Sequence, residues 1–83
     1  MVDCPLVYYS KPDCPLCEKG WPVAESLAAR HGLGIERIDI LSDPGLVTRY
    51  GERIPVLVLG EVELGWGRLS ERALERTLGR LGR

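Results

Sequence analysis

The tightest constraint in this chain lies between Leu6 and Cys17, where a strand signal runs into a helix start with almost no loop between them. Leu6-Val7-Tyr8-Tyr9-Ser10 is β-branched and aromatic without polar alternation, the pattern of a strand buried on both faces. Lys11-Pro12-Asp13 stops it. Pro15 then marks a first helical turn, because the amide that proline lacks has no partner there, and Cys14 falls at the N-cap. A doubly buried strand feeding a helix points to an α/β fold with helices on both faces of the sheet.

Downstream, the apolar positions Cys17, Trp21, Ala24, Leu27 and Ala28 recur at helical spacing up to His31, with Gly32 as the stop. Pro22 removes one backbone bond, so a bent helix is expected. Gly34 to Ile40 alternates imperfectly and reads as a second strand. A short helix starts at Ser42-Asp43-Pro44 and ends at Gly51. Arg53 to Leu59 is a strand opened by Pro55, the position where a sheet tolerates proline, and Gly60-Glu61 turns it into Val62-Glu63-Leu64. After Gly65-Trp66-Gly67, Ser70 caps a last helix whose stripe is Leu74, Leu78 and Leu81, with Leu69 as a staple against Leu74. Trp66 is expected in a loop that caps the core. The order βαβαββα implies a mixed four-stranded sheet whose first two strands are parallel through a right-handed crossover.

With 83 residues the chain closes one core, so residues 1–83 form a single domain. Eleven basic residues against twelve acidic ones, scattered along the chain, give no electrostatic footprint for nucleic acid or an anionic membrane. The longest apolar runs are of strand length, and Met1-Val2-Asp3-Cys4-Pro5 lacks the basic and apolar regions of an export signal. The expected setting is cytoplasmic, and the expected state is a monomer. Three cysteines are an odd number, which leaves a closed disulfide framework one thiol short of pairing.

Cys14 and Cys17 lie three apart at a helix start, on one face, so their sulfurs can meet without backbone movement. Cys14 is placed where unpaired amides and the positive helix end favour a thiolate, which makes it the nucleophile; Cys17, on the stripe facing the sheet, is the resolving thiol. The competing use of Cys-x₂-Cys is a zinc knuckle. A second such pair is absent, and His31 lies on the order of 20 Å further along the helix, out of reach of the same ion. His31 reads as a cationic cap of the helix end, and Cys4 as a small buried hydrophobe.

The passage Tyr8 to Cys17 resembles the active-site segment of the glutaredoxin branch of the thioredoxin superfamily, in which a lysine precedes a Cys-Pro-Tyr-Cys motif by three residues. Tyr50-Gly51-Glu52-Arg53-Ile54-Pro55 is similar to the segment that carries a cis-proline facing the cysteines, and Pro22 is similar to the kink proline of thioredoxin's corresponding helix. The resemblance covers almost the whole chain and implies a thioredoxin-like, glutaredoxin-type fold. It also implies a dithiol–disulfide oxidoreductase with catalytic Cys14 and Cys17, and a substrate surface made by Lys11, Pro15, Leu16, Ile54 and Pro55. The substrate would be a disulfide-containing protein or small thiol compound, with an external dithiol or low-molecular-weight thiol as reductant.

Two departures are visible. Leu16 stands where glutathione-binding members carry tyrosine, and Gly65-Trp66-Gly67-Arg68 has no acid to grip the γ-glutamyl end of the tripeptide. These features point to a shorter glutaredoxin-like family with Cys-Pro-Leu-Cys. No bound cofactor or metal is expected, and glutathione stays open as a co-substrate. Lys11 and Arg53 are read either as anchors for a substrate carboxylate or as solvated surface charge. The alternative function is a redox-inactive binding module that holds a peptide in the cis-proline groove.

Overall fold

The computed structural model describes residues 5–81. Strand β1, Leu6–Ser10, pairs in parallel with β2, Ile35–Asp39, and antiparallel with β3, Val56–Leu59; β4, Val62–Trp66, closes the sheet in the order β2-β1-β3-β4. Helices α1, Pro15–Arg30, α2, Pro44–Tyr50, and α3, Glu71–Leu81, complete the expected βαβαββα order, with a 3-10 turn at Ile40–Ser42.

Alternation along β1 divides the core. Leu6 and Tyr8 pack with Leu57 and Leu64 against Ala24, Leu27 and Ala28 of α1 and Leu74 and Leu78 of α3. Tyr9 turns the other way, toward Ile40, Tyr50, Val56 and Val58. The continuous apolar run in β1 therefore reflects two separate clusters, one per face. Each buried Leu side chain contributes about 1.5–3 kcal/mol of transfer free energy, so both clusters hold the central strands in place.

Helix α1 begins with Cys14 as N-cap and Pro15 in its first turn, and it ends in a Schellman arrangement. Gly32, at φ +65°, lets its amide reach the Ala29 carbonyl at 3.3 Å while the Leu33 amide reaches Ala28 at 2.9 Å. Pro22 does not break the helix into two segments. It lies on the exposed side of the helix and withdraws the i+4 donor from the carbonyl of Glu18, itself an exposed residue. The Asp43 carboxylate caps α2 by accepting the Gly45 amide at 2.8 Å.

Two expectations are corrected. Trp66 is the last residue of β4 rather than a loop residue, and it is 55% exposed rather than capping the core. The cause is a β-bulge: Leu57 pairs with Gly65 but Val58 pairs with Glu63, leaving Leu64 as the extra residue. Leu64 packs toward α3, and a Cβ on Gly65 would meet Leu74 at 3.0 Å, so both face the same helices. Trp66 is left opposite Val56 on the other face, at a sheet edge. Leu81 is 43% exposed and does not extend the Leu74–Leu78 stripe. The last turn of α1 reaches α3 through Arg30 and His31 at Glu75, short of Leu81.

Candidate active site

The parallel β1–β2 crossover delivers the chain from the carboxyl end of β1 straight into α1, and Asp13, at φ +57°, makes the turn. Aspartate tolerates this left-handed conformation better than most residues. The N-cap that follows is Cys14, whose Sγ accepts the backbone N–H of Cys17 at 3.2 Å. A sulfur thus does here what a serine or aspartate oxygen does at most helix starts.

The two thiols are close and differently placed. Cys14 is 9% exposed, whereas Cys17 is fully enclosed. Both are free. Burial, and then the hydrogen-bonded Cys14 beside it, pushes the Cys17 thiol up to about 11, partly opposed by the Lys11 backbone and the Arg37 charge.

Under this first turn lies a group of side chains that the sequence reading did not single out. The Tyr8 hydroxyl donates to the Cys17 carbonyl at 2.8 Å and fastens the helix start to β1. Burial raises the Tyr8 phenol well above its ordinary range, so it remains a donor at all working pH values. Its ring packs against Trp21 at 5.2 Å between centroids. Arg37, the cross-strand partner of Tyr8, lies over both rings, 5.1 Å from Trp21 and 5.8 Å from Tyr8. Its Nε donates to Ser10 Oγ at 3.2 Å and its Nη2 to Glu18 Oε2 at 2.9 Å. The signal available in the sequence was an arginine on the same face of β2 as Ile35, which gains meaning only once the β1–β2 register is known.

The residues assigned to substrate contact fall at this end of the sheet. Lys11, Pro15 and Leu16 are exposed around Cys14. Ile54–Pro55 immediately precedes β3, and Val56 pairs with Tyr9, so this loop stands beside the carboxyl end of β1, where α1 starts. The Ile54–Pro55 peptide bond is cis, and Pro55 is fully buried. Arg53, by contrast, is already committed within the chain: its guanidinium donates to both Glu63 carboxylate oxygens, at 2.6 and 3.0 Å. His31, at the C-cap of α1, brings Nε2 to 2.7 Å from Glu75 Oε1 and so ties α1 to α3. The reading of Cys4 as a buried hydrophobe lies outside the described residues. Among the described residues, no group of three or more His, Cys, Asp or Glu side chains is gathered closely enough to hold a metal ion.

A cleft of about 430 Å³ lies on the far face of the sheet, lined by Tyr9, Arg49, Tyr50, Val58, Glu61 and Glu63 among others. Neither thiol borders it. The Cys14 thiol, at 9% exposure, is buried but not sealed, and Cys17 behind it is closed off from solvent. No helix among the described residues is long and apolar enough to cross a membrane.

Comparison with known proteins agrees with this geometry. The solution structure of protein Ne2328 from Nitrosomonas europaea is 26% identical, with 92% of each chain covered and a TM-score of 0.75. Protein XcR50 from X. campestris is 30% identical, over 90% of this chain and 96% of that one, with a TM-score of 0.69. A single-substitution mutant of thioredoxin from Halobacterium salinarum is 30% identical over 94% of this chain and 74% of its own, with a TM-score of 0.71. No curated protein matches the chain. The fold is that of thioredoxin, and the sequence model of the glutaredoxin-like domain family (DUF836) matches residues 5–79. A βαβαββα domain with two neighbouring thiols at its first helix, matched over nearly its whole length, belongs to the glutaredoxin-like domain family of the thioredoxin superfamily.

Proposed function

We propose that this protein is a thiol–disulfide oxidoreductase that cycles Cys14 and Cys17 between dithiol and disulfide. The observation that carries this reading is the Cys14 sulfur at the N-cap, 3.2 Å from the Cys17 amide, with a second, enclosed thiol one turn into the helix. That amide is aimed to solvate negative charge on Sγ whenever a thiolate attacks or departs there.

In the first step the Cys14 thiolate attacks one sulfur of a substrate disulfide. A Cys14–substrate disulfide forms as the substrate S–S bond breaks, and the departing substrate thiolate takes up a proton. Cys17, having lost its proton, then attacks the Cys14 sulfur and releases the second substrate thiol. The substrate gains two electrons and two protons, and the protein retains a Cys14–Cys17 disulfide. An external dithiol or low-molecular-weight thiol reverses the oxidation.

The proposed substrate is a protein or small-molecule disulfide, approached across Lys11, Pro15, Leu16, Ile54 and Pro55, with the protein acting as a monomeric reductant in the cytoplasm. Among the described residues Ile54 has no backbone hydrogen-bond partner in its loop, leaving its amide and carbonyl for an extended substrate chain. The role open to glutathione is that of reducing co-substrate, and no bound cofactor takes part.

The test is turnover of a protein disulfide with a dithiol donor and, separately, with glutathione. Cys14→Ser abolishes turnover with either, whereas Cys17→Ser accumulates a covalent protein–substrate adduct visible by mass spectrometry. Retained turnover in Cys14→Ser refutes the assignment.

A further inference from the structure

The resolving step places an unusual demand on Cys17. It must become a thiolate to attack Cys14, yet it sits in the most enclosed part of the site, where burial opposes charge. The charged or titratable groups facing it are few. From α1 come Cys14 and, next in sequence, Glu18; from β1 comes Tyr8, whose hydroxyl is spent on the Cys17 carbonyl; from the β1–α1 loop comes only the backbone of Lys11; from β2 comes Arg37.

Arg37 is held in place with uncommon thoroughness for a residue on an edge strand. Ser10, itself buried, fixes Nε, Glu18 fixes Nη2, and the Trp21 and Tyr8 rings support the guanidinium from one side. Four partners hold one cation against the Tyr8 ring, whose hydroxyl is bonded to the Cys17 carbonyl. Of those four, only Glu18 carries an opposing charge, and its side chain is 65% exposed.

We infer that Arg37 is a positioning residue whose fixed positive charge controls how fast Cys17 resolves the mixed disulfide on Cys14, and that Glu18 acts as its counterweight. This rests on the dithiol cycle proposed above. In the step concerned, the Cys17 sulfur forms a bond to the Cys14 sulfur while the Cys14–substrate S–S bond breaks. The bonding pair leaves on the substrate sulfur, which is protonated, and the proton given up by Cys17 passes to solvent. The positive guanidinium favours the thiolate that attacks, and the neighbouring carboxylate partly cancels it. Because nucleophilicity falls as thiolate fraction rises, with a Brønsted coefficient of about 0.4–0.5, a tenfold change in thiolate fraction alters the rate by roughly threefold.

The experiment follows the two releases of thionitrobenzoate when reduced protein, in a Cys4→Ser background, meets 5,5′-dithiobis(2-nitrobenzoate). The first release reports attack by Cys14, and the second reports resolution by Cys17. Arg37→Met slows the second release at pH 7, by roughly threefold for each tenfold of thiolate fraction lost, and moves the pH at which it levels off upward. Glu18→Gln accelerates the second release and moves that pH downward, while Arg37→Lys, which keeps the charge, stays near wild type. The first release is unchanged throughout.

Opposite signs are what a mere structural staple would not produce, since Arg37→Met and Glu18→Gln break the same ion pair. If the two variants move the second release in the same direction, or leave it where it was, the inference is overturned. Glu18 is exposed, so its variant carries the test even if Arg37→Met fails to fold. If wild type shows no second release at all, the dithiol cycle itself is refuted, a result distinct from a wild-type release that the variants do not divide.

Discussion

Replacing Gly20 by alanine tests whether the close approach beneath the thiol pair is rigid. A Cβ at this position would stand 2.5 Å from the Tyr8 hydroxyl and 3.2 Å from Leu69 Cδ1. The hydroxyl is not the free end of a mobile side chain: Tyr8 is fully buried, packed on Trp21 and bonded to the Cys17 carbonyl. Alanine gains about 1 kcal/mol of helix propensity over glycine. Against this stand about 1 kcal/mol for the displaced hydrogen bond and about 1–3 kcal/mol for overpacking. The net loss is about 1–3 kcal/mol, and a domain of this size loses about 4–8 °C of Tm per kcal/mol. Thermal unfolding under reducing conditions should therefore show Gly20→Ala melting about 5–20 °C below wild type. Tyr8→Phe alone loses only the hydrogen bond, because the Cys17 carbonyl keeps its place in the helix ladder. Combined with Gly20→Ala, it removes the atom in the way, so the double variant melts above Gly20→Ala. A Gly20→Ala protein as stable as wild type, or a double variant no better than the single one, refutes the argument.

Cys17 supplies a pH dependence. Burial raises its folded value from 9.0 to about 11, so its contribution is fully present below pH 9 and is lost as pH rises toward 11. Urea midpoints should fall across that window by an amount on the order of 2 kcal/mol, and Cys17→Ala should flatten this component. The same burial keeps Cys17 slow toward iodoacetamide at pH 8 when folded, and denaturant should remove that protection. Asp43→Ala leaves the Gly45 amide without its cap and should cost about 1 kcal/mol in denaturant unfolding. Leu78→Ala should cost about 2–5 kcal/mol, whereas Leu81→Ala stays within about 0.5 kcal/mol of wild type. Equal losses would show that Leu81 packs after all.

Much of the fold was legible along the chain because its signals are local. Cys14-Pro15 at a helix start, Gly32 at its stop, Asp43-Pro44 opening α2 and Gly60 in the hairpin each act over a few residues, and each is found where the sequence placed it. The thiol pair was legible for the same reason: a spacing of three at a helix start puts two sulfurs on one face whatever the rest of the protein does. The position of Trp66 was not legible, because it depends on a one-residue slip between β3 and β4 that sends Leu64 and Gly65 to the same side. Nor was the burial of Leu78 and exposure of Leu81, since both lie on one stripe and only the reach of α1 separates them.

The sequence by itself determined the order of elements, the helix start that carries Cys14 and the chemical kind of the site. Tertiary structure alone decided what lies beneath that site. Tyr8, Arg37, Trp21 and Glu18 come from a strand, a second strand and a helix, and they meet because parallel pairing sets Tyr8 beside Arg37 while the crossover lays α1 over both. Contacts across such separations depend on register and packing rather than on local propensity, so no pattern in the chain announces them.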